Sequence, residues 1–139
     1  MASKSEQLFQ DYAQYHQHKG NKLTHYIGIP LIILSTIMLL VPLSPLPEIL
    51  IGLISIYYFR INIQLAIPCL TFFLICLVSS YYLYNLPAAI TMFTGGWILQ
   101  FIGHFGFEKK SPAFFKNLQH LLIGPLWILN DLISQKGSK

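Results

Sequence analysis

The sequence predicts an all-α fold: an integral membrane four-helix bundle with an N-terminal amphipathic helix and a C-terminal interfacial or re-entrant helix. Three observations carry that prediction. Hydrophobic residues make up 54 % of the chain and charged residues 10 %, against roughly 25 % charged in ordinary soluble domains. Long uncharged apolar stretches alternate with turn signals. The nine Lys and Arg residues all fall on one side of a path that crosses a bilayer four times, the asymmetry expected of cytoplasmic segments. The 139 residues form one domain by length, and the mean hydropathy of +0.55 agrees with a membrane setting.

Taken in order, residues 1–20 hold the amphipathic helix. Leu8, Tyr12 and Tyr15 share one helical face, and His16 closes its last turn. Lys19-Gly20-Asn21 is expected to break the helix, with Asn21 as the N-cap of the next. Four spans are placed within residues 23–107. The first begins after His25 and runs uncharged through 26–47, long enough for a hydrocarbon core of about 30 Å. The second starts near Glu48 and reaches a turn at 60–64, where Arg60, Asn62 and Gln64 interrupt the apolar run. The third covers about 65–86 and ends in the interfacial tyrosines 81, 82 and 84. The fourth covers about 88–107. Residues 112–133 contain Gly124-Pro125 and read as an interfacial or re-entrant helix, followed by a polar, frayed tail.

Several function classes are excluded or disfavoured. The net charge of +4 comes without a Lys/Arg-rich run, so no nucleic-acid partner is expected. Cys69 and Cys76 lie two helical turns apart, too far for a disulfide within one helix, and read as small core residues. No nucleophile elbow, phosphate-binding glycine loop or paired-cysteine zinc motif occurs.

What remains is a set of ionisable residues in an apolar chain. Gln100, His104 and Glu108 recur every four residues, which on an α-helix places them on one face. The four-crossing path brings His16, His25, His104 and Glu108 to the cytoplasmic surface together. Histidines with a carboxylate form a ligand set for non-haem Fe(II), so His16, His25, His104 and Glu108 are the candidate metal ligands and catalytic residues. Asn21 and Gln100 are the candidates to hold ring nitrogens or waters around the metal. Taken singly, each histidine also fits an interfacial ring bonded to a carbonyl. His18 reads as solvated, and His120 is left open.

Tyr15-His16, Asn21 and His25-x-x-Gly28-x-Pro30 together resemble the N-terminal motif of the 2-hydroxy fatty acid dioxygenase family, formerly of unknown function, to which a yeast 2-hydroxy-palmitic acid dioxygenase of the endoplasmic reticulum belongs. Trp97-x-x-Gln100-x-Ile102-Gly103-His104, with Glu108, Pro112-Ala113 and Gly124-Pro125, resembles its C-terminal motif. The resemblance implies an Fe(2+)-dependent dioxygenase that shortens 2-hydroxy fatty acids by one carbon, as in phytosphingosine breakdown. It implies iron held by His16, His25 and His104, with a 2-hydroxy fatty acid and dioxygen as substrates and membrane lipid as surroundings. The corresponding location is a multi-pass membrane protein of the endoplasmic reticulum in a eukaryote, or of the inner membrane in a bacterium. Termini and site would face the cytoplasm, and homo-oligomers are left open. Two other classes compete: a zinc-dependent membrane lipid hydrolase using the same site, and a non-enzymatic lipid-binding or scaffold protein.

Overall fold

The computed structural model describes residues 3–136. Among them every regular element is helical: α1 (Lys4–Ala13), α2 (Lys19–Leu40), α3 (Leu46–Ile61), α4 (Ile63–Tyr82), α5 (Leu86–Phe101) and α6 (Gln119–Lys136). The all-α expectation holds. Three segments of the described residues are long and apolar enough to cross a membrane: Lys19–Leu43, Ile63–Tyr82 and Leu86–Glu108. The remaining expected span is α3. Its 16 residues reach about 24 Å, short of a hydrocarbon core of about 30 Å.

Local chemistry explains where the elements start. Ser3 and Glu6 form a reciprocal capping box at α1, with Glu6 N–H donating to Ser3 Oγ at 3.2 Å. Asn62 separates α3 from α4 and caps the latter, its Oδ1 accepting from Leu65 N–H at 3.1 Å. This places the turn within the expected 60–64 interval. Asn85 caps α5 in the same way, accepting from Ala88 N–H at 2.9 Å.

Two boundaries differ from the sequence reading. The first break falls at Gln14–His18 rather than at Lys19-Gly20-Asn21. His18 is the N-cap of α2, its Nδ1 accepting from Gly20 N–H at 3.0 Å, which pulls Gly20 and Asn21 inside the helix. His16 therefore lies on the α1–α2 connection, beyond the last turn of α1. At the other end, α6 runs unbroken through Gly124-Pro125 to Lys136, so the polar tail is helical up to there. Residues 137–139 lie outside the described part.

The bundle is organised around α2. Its tightest neighbour is α5, and glycines allow the approach: a Cβ on Gly28 would sit 3.0 Å from the Gly96 carbonyl oxygen, and one on Gly96 would sit 3.0 Å from that of Gly28. Phe73, Cys69 and Leu65 of α4, Tyr58 and Ile51 of α3, and Ile123, Leu126 and Trp127 of α6 make up the main core, closed over by Phe9 and Tyr12 of α1. Tyr58 donates its hydroxyl to the Leu122 carbonyl at 2.6 Å, which fixes α6 on α3. The two cysteines are buried and free, as expected.

Candidate metal centre

Three segments meet at one point near the start of α2. The α1–α2 connection brings His16, the second turn of α2 brings His25, and the continuation of α5 brings His104. That continuation, Ile102–Glu108, is a π-helix, a local widening common at functional sites. All three histidines are buried.

The tautomers of His16 and His25 follow from their hydrogen bonds. His16 Nδ1–H donates to the Tyr12 carbonyl at 2.8 Å, and His25 Nδ1–H donates to the Asn21 carbonyl at 2.8 Å. A carbonyl can only accept, so in the neutral rings both Nε2 atoms carry lone pairs. Those two atoms lie 3.0 Å apart, and His104 Nε2 lies 3.1 Å from His25 Nε2. The three rings stand nearly perpendicular to one another, at 73–84°. Burial, then the neighbouring His25, pushes His16 down to about 2, so this ring is neutral.

Two lone pairs facing each other without a proton between them repel. A cation between them removes the conflict. Separations of 3.0 and 3.1 Å match the roughly 3 Å between adjacent nitrogen ligands, each about 2.1 Å from an ion. His16, His25 and His104 thus form a group that could hold a metal ion, with ligand atoms all within 4.8 Å of one another.

Packing fixes these histidines from behind. Tyr12 stacks flat on His16, with centroids 4.0 Å apart and planes within 1°. Trp127 lies 5.3 Å from the His16 ring. Gly103 is required next to His104, because a Cβ there would fall 2.3 Å from Asn21 Oδ1 and 2.3 Å from Thr24 Oγ1.

Glu108 stands apart from the three-histidine group. Its carboxylate accepts from the backbone N–H of Gln17 at 3.1 Å, from that of His18 at 2.9 Å and from Asn21 Nδ2 at 3.1 Å. These contacts aim Glu108 at the α1–α2 connection, where it pins the segment that carries His16. Asn21 joins the arrangement twice. Its carbonyl holds His25, and its side chain donates to Glu108 and, at 3.0 Å, to the Tyr15 carbonyl. Gln100 is buried, and its Nε2 has no hydrogen-bond partner among the described residues. The same holds for His104 Nδ1.

A cavity of about 200 Å³ opens beside the histidines. His16, His25, His104 and Gln100 give it polar lining, and the rest is mostly apolar, including Ile29 and Ile33 of α2 and Pro125 of α6. His120 also faces it, with Nε2 2.9 Å from Asp11 Oδ2. Asp11 and His120 lie far apart in sequence, so no local pattern signals the pair. His18, exposed and stacked on Phe107 at 5.2 Å, takes no part in the centre. Lys22 pairs with Asp131 at 3.1 Å.

The comparisons agree with this picture at the family level. The profile of the family described as "2-hydroxy-palmitic acid dioxygenase Mpo1-like" matches residues 2–136. The 2-hydroxy-palmitic acid dioxygenase MPO1 of Saccharomyces cerevisiae is 31 % identical over 135 residues, covering 91 % of this chain and 78 % of the yeast protein. No solved structure matches the chain. With nearly its whole length matched by the profile, this chain belongs to the Mpo1-like family.

Proposed function

We propose that this chain is an integral membrane, Fe(II)-dependent dioxygenase that converts 2-hydroxy fatty acids to acids one carbon shorter. One observation carries the reading: three imidazole Nε2 atoms converge beside a mostly apolar cavity. The family supports it through a relative named for oxidising 2-hydroxy-palmitic acid. His16, His25 and His104 would hold the iron. When bound, iron(II) supplies a chelation point for the 2-hydroxy carboxylate and activates dioxygen. The overall change balances with dioxygen alone: the hydroxy acid and one O₂ give the shorter acid, carbon dioxide and water. No separate reductant is required.

The protein's own residues account for the rest. Tyr12 and Asn21 carbonyls keep Nδ1 protonated on His16 and His25, which leaves Nε2 free. Gln100 Nε2, buried without a partner among the described residues, is placed to donate to a bound carboxylate or hydroxyl. The apolar walls exclude water and hold an alkyl chain. All nine basic residues fall on one side of a four-crossing path, which supports a cytoplasmic site and cytoplasmic termini.

Anaerobic purification in detergent, followed by metal analysis and oxygen uptake on 2-hydroxyhexadecanoate, tests the reading. The expected result is one iron per chain, oxygen uptake and release of the acid shortened by one carbon. Folded protein that takes up no oxygen with this substrate, with or without added Fe(II), would refute it. A second reading has its own support: three histidines without a carboxylate are a known catalytic zinc set, and Glu108 is engaged elsewhere. A zinc-dependent lipid hydrolase would keep its activity without oxygen.

A further inference from the structure

We propose that the substrate's alkyl chain lies in the groove between α2 and α3, and that the residues at its far end set the longest chain accepted. This rests on the three-histidine centre being the head-group site. The cavity beside the histidines shares Ile32, Ile33 and Pro125 with a second cavity of about 170 Å³. That second cavity follows one face of α2 through Thr36, Ile37 and Leu40, positions that line up at helical spacing. Its opposite wall is α3, with Ile51 and Ile54. Since α3 packs mainly on α4, it faces α2 across this space instead of filling it.

Direction decides between this groove and its rival. From His25 to Leu40 the axis of α2 rises about 22 Å. One leaflet of a hydrocarbon core is about 15 Å deep, so the groove accommodates a long-chain acid. Another cavity, of about 230 Å³, also meets Ile33 and Pro125 but turns sideways towards Cys69 and Leu129. Along α2 it spans only Tyr26 to Ile33, alongside the histidine-lined cavity that it meets at Ile29, Ile33 and Pro125, so it carries no chain further from the histidines, whereas the groove continues from Ile32 to Leu40.

Two measurements test the groove. In the first, Thr36→Trp should plug it, with Leu129→Trp plugging the sideways cavity as the control. Thr36→Trp is expected to lower kcat/KM for 2-hydroxyhexadecanoate about tenfold or more relative to 2-hydroxyoctanoate, while Leu129→Trp leaves the ratio unchanged. An unchanged ratio in Thr36→Trp, or a shift in the control, would overturn the proposal. The second needs no metal: metal-free protein is labelled with a 2-hydroxyhexadecanoate analogue bearing a diazirine at its methyl end. Labels on α2 near Leu40 or on α3, competed by unlabelled 2-hydroxyhexadecanoate, are expected. Labels on α4 and α6, labels competed only by phospholipid, or no saturable labelling would overturn it. Competed labelling on α2 and α3 without any turnover would sink the oxygenase reading and leave the groove standing.

Discussion

Removing one imidazole leaves the other two facing each other without their shared partner. On the proposed reading, His104→Ala should lose bound iron and turnover together, measured by metal analysis and oxygen uptake on the same sample; a variant that retains both would count against the centre. His16 adds a pH dependence. Its folded ring takes a proton only near pH 2, whereas the unfolded ring does so near 6.5. Between those values the unfolded chain holds more protons, so stability falls as pH drops below about 6.5. The thermal midpoint of metal-free protein should be lower at pH 5 than at pH 7.5. Gly103 is the tightest single position. Gly103→Ala puts a methyl against Asn21 and Thr24 and should cost about 1–3 kcal/mol, seen as a midpoint lowered by several degrees. The histidines themselves were legible in the sequence because ionisable residues are conspicuous in an apolar chain. The reason Gly103 must be glycine was not, because it depends on how closely α5 approaches α2.

At the scale of elements, the π segment after α5 carries both His104 and Glu108 but sends them to different partners. The carboxylate binds the α1–α2 connection, while the His104 ring joins His16 and His25. Sequence spacing puts the two residues on one face but cannot reveal which partners each meets, because those partners arrive from distant segments. Glu108 therefore positions His16 through the backbone of Gln17 and His18. Glu108→Ala should weaken metal affinity about 10–100-fold, with Glu108→Gln intermediate because an amide oxygen still accepts a hydrogen bond. Equal and complete metal loss in both variants would instead favour a direct ligand role. The turn that holds Asn62 was readable, since polar residues interrupt the apolar run there, but its role as the cap of α4 was not. The start of α2 was misplaced because a histidine cap, His18, took the role expected of Asn21.

For the whole molecule, one prediction concerns sidedness. Cysteines placed at Ser44 and Lys116, in a background lacking Cys69 and Cys76, should react with a membrane-impermeant maleimide from opposite sides of a sealed vesicle. Labelling of both from one side would refute the crossing pattern. The all-helical class was legible from the long uncharged runs, because an apolar stretch of that length in a bilayer satisfies its backbone within one helix. The end of α3 was legible as well, since Arg60, Asn62 and Gln64 interrupt the apolar run, but nothing local tells how near its neighbours lie. The placement of α1 over α6 was not legible either, since Tyr12, Trp127 and the Asp11–His120 pair meet only through the fold.

One of the three histidines, His16, rides on the short connection between α1 and α2. On the proposed reading, the ion is then a clasp as well as a cofactor. Loading it fastens the lid-like N-terminal layer, and losing it frees a stretch of chain that a protease can reach. Metal supply would thus govern the lifetime of the protein in the cell along with its activity, and chelation would deplete it by degradation.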